Sequence, residues 1–458
     1  MFEQLTIKTM AMRDCLFTSH TSRLAKSISC LSLAISILLA ACEKRPNITS
    51  VETAETRSFH VSASEVADLV ASHFELNAYM KVTGNDGHRN ARTSAVTDTD
   101  LFSAVNEIVR IDTLVDTDGA DLLYIINFRS KARSDRKGFV VMSADKRTIP
   151  VLAWSEEGPM ELDTQMPDPV EIWLDYAKEV VRRGKRNKEQ SRQAFVSWKK
   201  LEEYLARKAG RITDCPHPNP QICSPCNPDW NILVGPVTTP NSLWGQTYGF
   251  NNSMWSRGCG KCGKAATGCA AVALGMIMRF DHKPSAGYNF GIMPQSIPDL
   301  QCSGFNPGQL EIAKLLYNLS ATMNSSNAPG DCGTFTLPGN IANGFSWAGY
   351  SQNGSSSSNI GMMEAETQFG RPVLMSGTKA GMDLNDAHYW VCDGYNSTNY
   401  CYSSTGLPED CYCIINTYHH INWGWRGNDN GWFTLGNLNP GGKGKYDSWL
   451  RARLGVKP

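Results

Sequence analysis

The cysteines constrain this chain more than any other residue type. Of fifteen, Cys15, Cys30 and Cys42 lie near the start, residues 43–214 contain none, and the other twelve fall between Cys215 and Cys413. Such a split predicts two halves built on different chemistry. A length of 458 residues, at about 100–200 residues per domain, allows two or three domains with a substantial core. The chain is 41% hydrophobic and 19% charged, which excludes wholesale disorder. Its 44 basic and 44 acidic side chains cancel, so it lacks the electrostatic footprint of a dedicated nucleic-acid binder.

The first cysteines belong to a targeting segment. Residues 28–41 form a short apolar run of small and aliphatic side chains behind Arg13, Arg23 and Lys26, the pattern of a secretory signal. The run is too short to span a bilayer comfortably. It ends Leu39-Ala40-Ala41-Cys42, which resembles a bacterial lipobox and implies cleavage before Cys42 and lipidation of its sulfur. Export permits disulfides in the cysteine-rich half.

After a polar tether, Val61, Val66, Leu69 and Val70 recur at helical spacing. Residues 80–100 read as loop. Three strands follow at 122–128 (LLYIINF), 138–144 (GFVVMSA) and 150–155 (PVLAWS), close enough together for an antiparallel meander. A helix starts at Pro169 with Ile172, Tyr176 and Val180 on one face. From Lys178 to Arg211 the chain carries twelve basic and four acidic residues. That stretch reads as a linker with a helix at Trp198, Leu201 and Leu205, and as a protease-sensitive junction. Five prolines with Cys215, Cys223 and Cys226 between 214 and 229 mark a domain boundary.

The chemistry concentrates beyond that boundary. Gly268 ends a loop and Cys269 opens a run of helix formers that stops at Pro284. A thiol at a helix N-terminus meets the positive end of the helix dipole, which favours the nucleophilic thiolate. Such a nucleophile needs a base. His388 stands at the start of an alternating strand, AHYWVCDG, where a side chain can face a cleft. Downstream, Asn422 could orient an imidazolium and Trp423 could shield that contact from water. Gln246, in the triplet Trp244-Gly245-Gln246, precedes all of these.

Gln, Cys, His and then Asn, with Cys and His more than a hundred residues apart, is the order of papain-like cysteine peptidases. Several stretches resemble the streptopain family in particular: WGQ, TGC before a helix, PVLMSG, AHYWVCDGY, and HINWGWRGNDNGWF followed by Asn439-Pro440. In the N-terminal half, GFVVMSADKRTIPVLAWSEEG resembles that family's inhibitory prodomain. The resemblance runs from about residue 60 to 445. It implies Cys269 as nucleophile, His388 as general base and acid, and Gln246 as oxyanion donor beside the Cys269 amide. Asn422 and Trp423 would support His388, with His420 at a strand position that is not the base. Peptide or protein substrates are implied as partners, with no cofactor and no metal.

One segment departs from the family. Between Gln246 and Cys269 a longer insert carries Cys259 and Cys262, which pairs with Cys223 and Cys226 as a set of two CxxC motifs. Zinc sites use that spacing, but an exported chain favours disulfides. Trp255 and Arg257 make the insert a candidate substrate-contacting loop. Cys392, Cys401, Cys411 and Cys413 are expected to pin a long excursion over 397–413.

The resulting expectation is an α+β protein. It comprises a signal peptide over 1–41, a tether over 42–60, an α+β prodomain over 61–185 and a linker with the activation site over 186–229. A papain-like domain with a helical part and an antiparallel β part would fill 230–458. The function expected is that of an exported, lipid-anchored endopeptidase zymogen, inhibited by its own prodomain and released once cut. The alternative is a non-catalytic surface lipoprotein that uses the same fold for binding.

Overall fold

The stretch LLYII, residues 122–126, is apolar at every position because its strand is covered on both faces. Leu123 and Ile125 enter one core cluster, while Tyr124 and Ile126 enter another on the opposite face. The structure is a computed structural model, describing residues 58–73, 106–130, 137–208 apart from 163–165 and 167, and 230–458 apart from 298–299, 327–331, 358–359, 378–387, 404–406, 408–409 and 436–449. The expectations for residues 1–57, including Cys42 and the signal segment, lie outside the described residues, as do Cys215, Cys223 and Cys226.

Helix α1 (Ala63–His73) precedes an antiparallel meander of β1 (Asn106–Val115), β2 (Asp121–Ser130), β3 (Lys137–Ser143) and β4 (Val151–Ser155). The last three are the strands legible in the sequence. The first, NEIVRIDTLV, escaped notice because charged and polar side chains interrupt its apolar positions. Helices α2 (Asp168–Arg186) and α3 (Arg192–Lys208) follow, then β5 (Trp230–Val234).

The helical part of the second half is α4 (Cys269–Asp281), α5 (Pro307–Thr322), α6 (Ile341–Trp347) and α7 (Ile360–Gln368), with β6 (Gln352–Ser357) between the last two. The β part is β7 (Val373–Gly377), β8 (His388–Ser403), β9 (Cys411–Asn422), β10 (Gly431–Phe433) and β11 (Arg451–Lys457). This is the α+β arrangement expected, with α4 packed against an antiparallel sheet.

Both halves share that sheet, in the order β1-β2-β3-β4-β10-β9-β8-β7-β11-β6, with β5 also paired to β8. The junction is β4 against β10, with Trp154 opposite Trp432 and Ala153 opposite Phe433. Gly431 is required there, because a Cβ would lie 2.5 Å from the Trp154 carbonyl oxygen. The core crosses the junction too. Trp173 and Ala177 of α2 share one cluster with Trp390, Trp423 and Phe433 of the second half. The helical core is separate, with α4 and α5 packed beside Leu374, Tyr389 and Val391.

Two readings of the middle of the chain change. The densest basic run, Arg182 to Arg186, is the last turn of α2. Arg182, Arg183 and Arg186 all bridge to Glu179, and Arg182 also reaches Asp116. The 186–229 linker begins with a packed helix, since Val196, Trp198 and Leu201 are buried with Tyr400, Ile414 and Tyr418 of the hairpin. Solvated linker is therefore not the state of 192–203. Residues 397–403 and 411–413 of the expected excursion are sheet, because β8 and β9 stay paired from Val391↔Asn422 to Ser403↔Cys411. The disulfide Cys401–Cys413 joins two residues directly opposite in that hairpin.

Candidate active site

Cys269 is the first residue of α4, half-buried and not disulfide-bonded. The residues after it, 270–278, are buried, which fixes the helix in the core and leaves Cys269 as the partly exposed residue of its first turn. The helix can begin there only because Gly268 adopts φ +86°, and a Cβ at that position would lie 2.8 Å from the Thr334 carbonyl oxygen. Amides of a first helical turn have no partner within the helix, so this turn directs N–H groups outward beside the thiol.

The turn before Cys269 is braced from several directions. The Ser320 hydroxyl donates to the Thr267 carbonyl at 2.6 Å, and Thr334 Oγ1 donates to the Ala266 carbonyl at 2.5 Å. The Ala266 amide donates to the Cys332 carbonyl. Cys332 is tied by disulfide to Cys259, and Cys262 is tied to Cys302. The CxxC of the insert thus forms disulfides to later loops and staples the insert to the strip that precedes Cys269. Cys223 and Cys226 lie outside the described residues.

Gln246 comes to Cys269 through the backbone. The Thr267 amide donates to the Gln246 carbonyl at 3.0 Å, two residues before the thiol. Its segment is held by Trp244, which is fully buried, donates Nε1–H to the Pro294 carbonyl, and accepts at its own carbonyl from the Arg426 amide. The Gln246 side chain is half-buried.

His388 opens β8 opposite Gly377 of β7 and is half-buried. Its neighbour Tyr389 packs in the same cluster as Cys269, and the two interact electrostatically. Burial first, then the sulfur, raises the Tyr389 phenol. The start of β8 therefore abuts α4. The ten residues leading into His388, 378–387, lie outside the described residues.

Asn422 and Trp423 act one strand away. Asn422 is buried, donates from Nδ2 to the Ser242 carbonyl at 2.9 Å and accepts the Gly424 amide at 3.2 Å. It ties the segment carrying Gln246 to the sheet. Trp423 donates Nε1–H to the Asp429 carbonyl and packs its ring 5.3 Å from Trp390, two residues along the strand from His388.

The sequence contained no sign of a second cluster on the same strand. Asp393 is the extra residue of a β-bulge in β8. Its Oδ2 accepts from the amides of Thr238 and Thr239 and from the Thr238 hydroxyl, and its Oδ1 lies 2.6 Å from His420 Nδ1. Burial opposes ionisation of Asp393, but the His420 charge and these donors outweigh it and hold the carboxyl below its usual range. His420, fully buried, reaches Glu157 with its other nitrogen at 3.0 Å. Burial opposes its protonation, but Asp393 and Glu157 prevail and push it up to about 10. The adjacent His419 has no such partner within hydrogen-bonding distance, and burial depresses it to about 3. Both ring nitrogens of His420 are thus engaged by carboxylates.

Comparison with known proteins agrees with the resemblance read from the sequence. Residues 244–433 match the Peptidase C10 family and residues 61–181 match the Spi protease inhibitor family. The chain is 24% identical over 377 residues to the thiol protease/hemagglutinin PrtT of Porphyromonas gingivalis, a match covering 71% of this chain and 36% of that protein. It is 23% identical over 237 residues to streptopain of Streptococcus pyogenes, covering 42% of this chain and 53% of that protein. The chain therefore spans about a third to about a half of the curated relatives it matches. Among solved structures, a fragment of Prevotella intermedia prointerpain A aligns with 17% identity and a TM-score of 0.47, over 76% of this chain and 99% of that one.

Proposed function

Residues 61–181 belong to the Spi protease inhibitor family and residues 244–433 to the Peptidase C10 family, and from that premise we propose that the chain is the zymogen of a cysteine endopeptidase. The observation that carries the reading is the position of Cys269. It is an undisulfided thiol at the first position of α4, joined to Gln246 through Thr267, and the start of β8 that bears His388 abuts its helix.

The Cys269 sulfur attacks the scissile carbonyl carbon after its proton has passed to His388. The carbonyl oxygen takes the displaced electron pair and is stabilised by the Cys269 amide and the Gln246 side chain. Collapse breaks the C–N bond as the His388 imidazolium gives its proton to the leaving amine. Water, deprotonated by His388, then attacks the acyl-thioester, and the carboxylic acid leaves as the thiol is restored. Asn422 positions the Gln246 segment, and Trp423 supports the His388 strand through Trp390.

In the same proposal the chain is exported and anchored through lipid on Cys42. Residues 61–185 act as an intramolecular inhibitor, which fits their sharing a sheet and a core with the peptidase half. Because α3 is packed, cleavage falls between 209 and 229, and the anchor stays with the inhibitor half while the peptidase half is released. The test is active-site labelling of processed protein. An epoxide-type thiol inhibitor should label Cys269 stoichiometrically, and His388→Ala should abolish labelling. A wild-type protein that takes no label is instead a binding protein that keeps the fold.

A further inference from the structure

The two halves meet along a row that crosses the sheet. Trp154 of β4 lies opposite Trp432 of β10, Trp432 opposite His420 of β9, and His420 opposite Gly394 of β8. The two tryptophans stack at 5.6 Å, and the edge of Trp432 meets the His420 ring at 5.1 Å. Three residues beyond Trp154, Glu157 turns back to His420 Nε2 at 3.0 Å. All the other partners of this imidazole come from the peptidase half. Asp393 holds Nδ1, and its second oxygen is saturated by Thr238 and Thr239. The peptidase half therefore orients a buried imidazolium and presents its remaining N–H at the edge where β4 docks. A buried cation with one donor unfilled is costly, and the group that fills it belongs to the other half.

We propose that β10 and His420 form a docking site, separate from the catalytic centre, that recognises an extended strand carrying an aromatic residue and, three positions later, a carboxylate. Its occupant is residues 151–157 of this chain. Backbone pairing along β10 supplies the register, the Trp154–Trp432 stack supplies area, and the Glu157 carboxylate completes the His420 bridge. The site retains the inhibitor half after the chain has been cut. Strand addition at a sheet edge gives affinity through main-chain bonds and specificity through side-chain pockets. Here the pocket is a buried charge, so the site rejects a strand that lacks the carboxylate. This inference rests on the zymogen reading only in taking residues 59–208 as the half that is cut away.

The experiment uses the full chain with Cys269→Ala, so that docking is measured without catalysis. A recognition sequence for a site-specific protease is inserted between 209 and 229, the chain is nicked, and co-elution of the two fragments is followed on dilution. Failure of this docking then says nothing about peptidase activity, and an inactive peptidase says nothing about docking. The unsubstituted pair should stay together. Glu157→Gln should raise the dissociation constant about 10–100-fold, the value of a hydrogen bond to a charged group. Glu157→Lys should raise it further by opposing His420 with a like charge. Glu189→Gln, which removes an exposed charge on the same half, should change nothing, and thermal unfolding of each uncut chain reports that the fold is intact. The proposal is overturned if the unsubstituted fragments separate on nicking, if Glu157→Gln matches the unsubstituted pair, or if Glu189→Gln weakens it equally.

Discussion

β8 carries two polar centres of opposite character. Its first residue, His388, is half-buried, and the next, Tyr389, packs beside the half-buried thiol of Cys269. Five positions later, Asp393 is fully buried and joins His420 in a bridge whose donors and acceptors are matched. A reacting site must leave groups accessible to a substrate, and the proposed catalytic residues sit at element termini: the first turn of α4 and the first residue of β8. A docking site gains from the reverse, because a buried pair discriminates strongly between a matched and an unmatched partner. On the proposed reading, one strand presents chemistry at its end and recognition at its bulge.

The comparison breaks most visibly at the nucleophile. Cys269→Ala should lower the rate by about 10⁴-fold or more, since nucleophile and base act as a unit. Being a small change at a half-buried position, it should leave the melting temperature nearly unchanged. Hydrolysis of a peptide substrate by processed protein, with calorimetry on the same sample, reads both. A large fall in stability would mean that Cys269 is a core residue. Gln246→Ala should follow with a loss of about 10²–10³ in kcat and little change in KM. If KM alone rises, Gln246 binds the ground state and not the oxyanion.

The same contrast explains what could be read without coordinates. Cys269, His388 and Gln246 were legible because local signals marked them: a glycine before a helix start, an alternating strand, a tryptophan-glycine turn. Strands β2, β3 and β4 of the first half were legible because two-sided burial makes them largely apolar, whereas the polar interruptions of β1 hid it. The His420 cluster was not. Its three members lie at positions 157, 393 and 420, and only the β4–β10 junction brings Glu157 to the other two. Adjacent histidines of identical sequence character end up charged and neutral because they face opposite sides of one strand. The basic run ending at Arg186 was misread for a related reason in part: Asp116 reaches Arg182 only on folding, whereas Glu179 lies one turn earlier on the same helix.

At the far end of the hairpin, Cys401–Cys413 sharpens the contrast between chemistry and support. It closes a loop of 12 residues across directly paired positions. Chain-entropy reasoning for a loop of that size gives about 3 kcal/mol. The double substitution Cys401→Ser with Cys413→Ser should lower the melting temperature accordingly and leave kcat/KM of processed protein within about twofold, because the bridge lies over ten residues along β8 from His388. A selective loss of kcat would instead connect the hairpin tip to the catalytic end.

The smallest effect is expected at Asp429, in the turn between β9 and β10 that separates the two centres. Burial first, and then the nearby Glu161 of the inhibitor half, raise its carboxyl to about 7. A carboxyl whose folded-state value lies above its unfolded value favours the protonated form in the fold. It therefore has no effect on stability below the ordinary carboxylate range. As pH rises it imposes a penalty that grows up to about 7 and is constant above. Asp429 has φ +58°, a conformation that asparagine adopts readily, so Asp429→Asn removes the charge without new backbone strain. The variant should melt higher than the unsubstituted zymogen at pH 8, by the equivalent of about 1–3 kcal/mol, and the gain should vanish near pH 4. Because Glu161 contributes, Glu161→Gln should recover part of that gain, and it should do so only while the inhibitor half is docked. Melting curves at the two pH values decide the matter: a gain of equal size at both would show that the Asp429 charge plays no part.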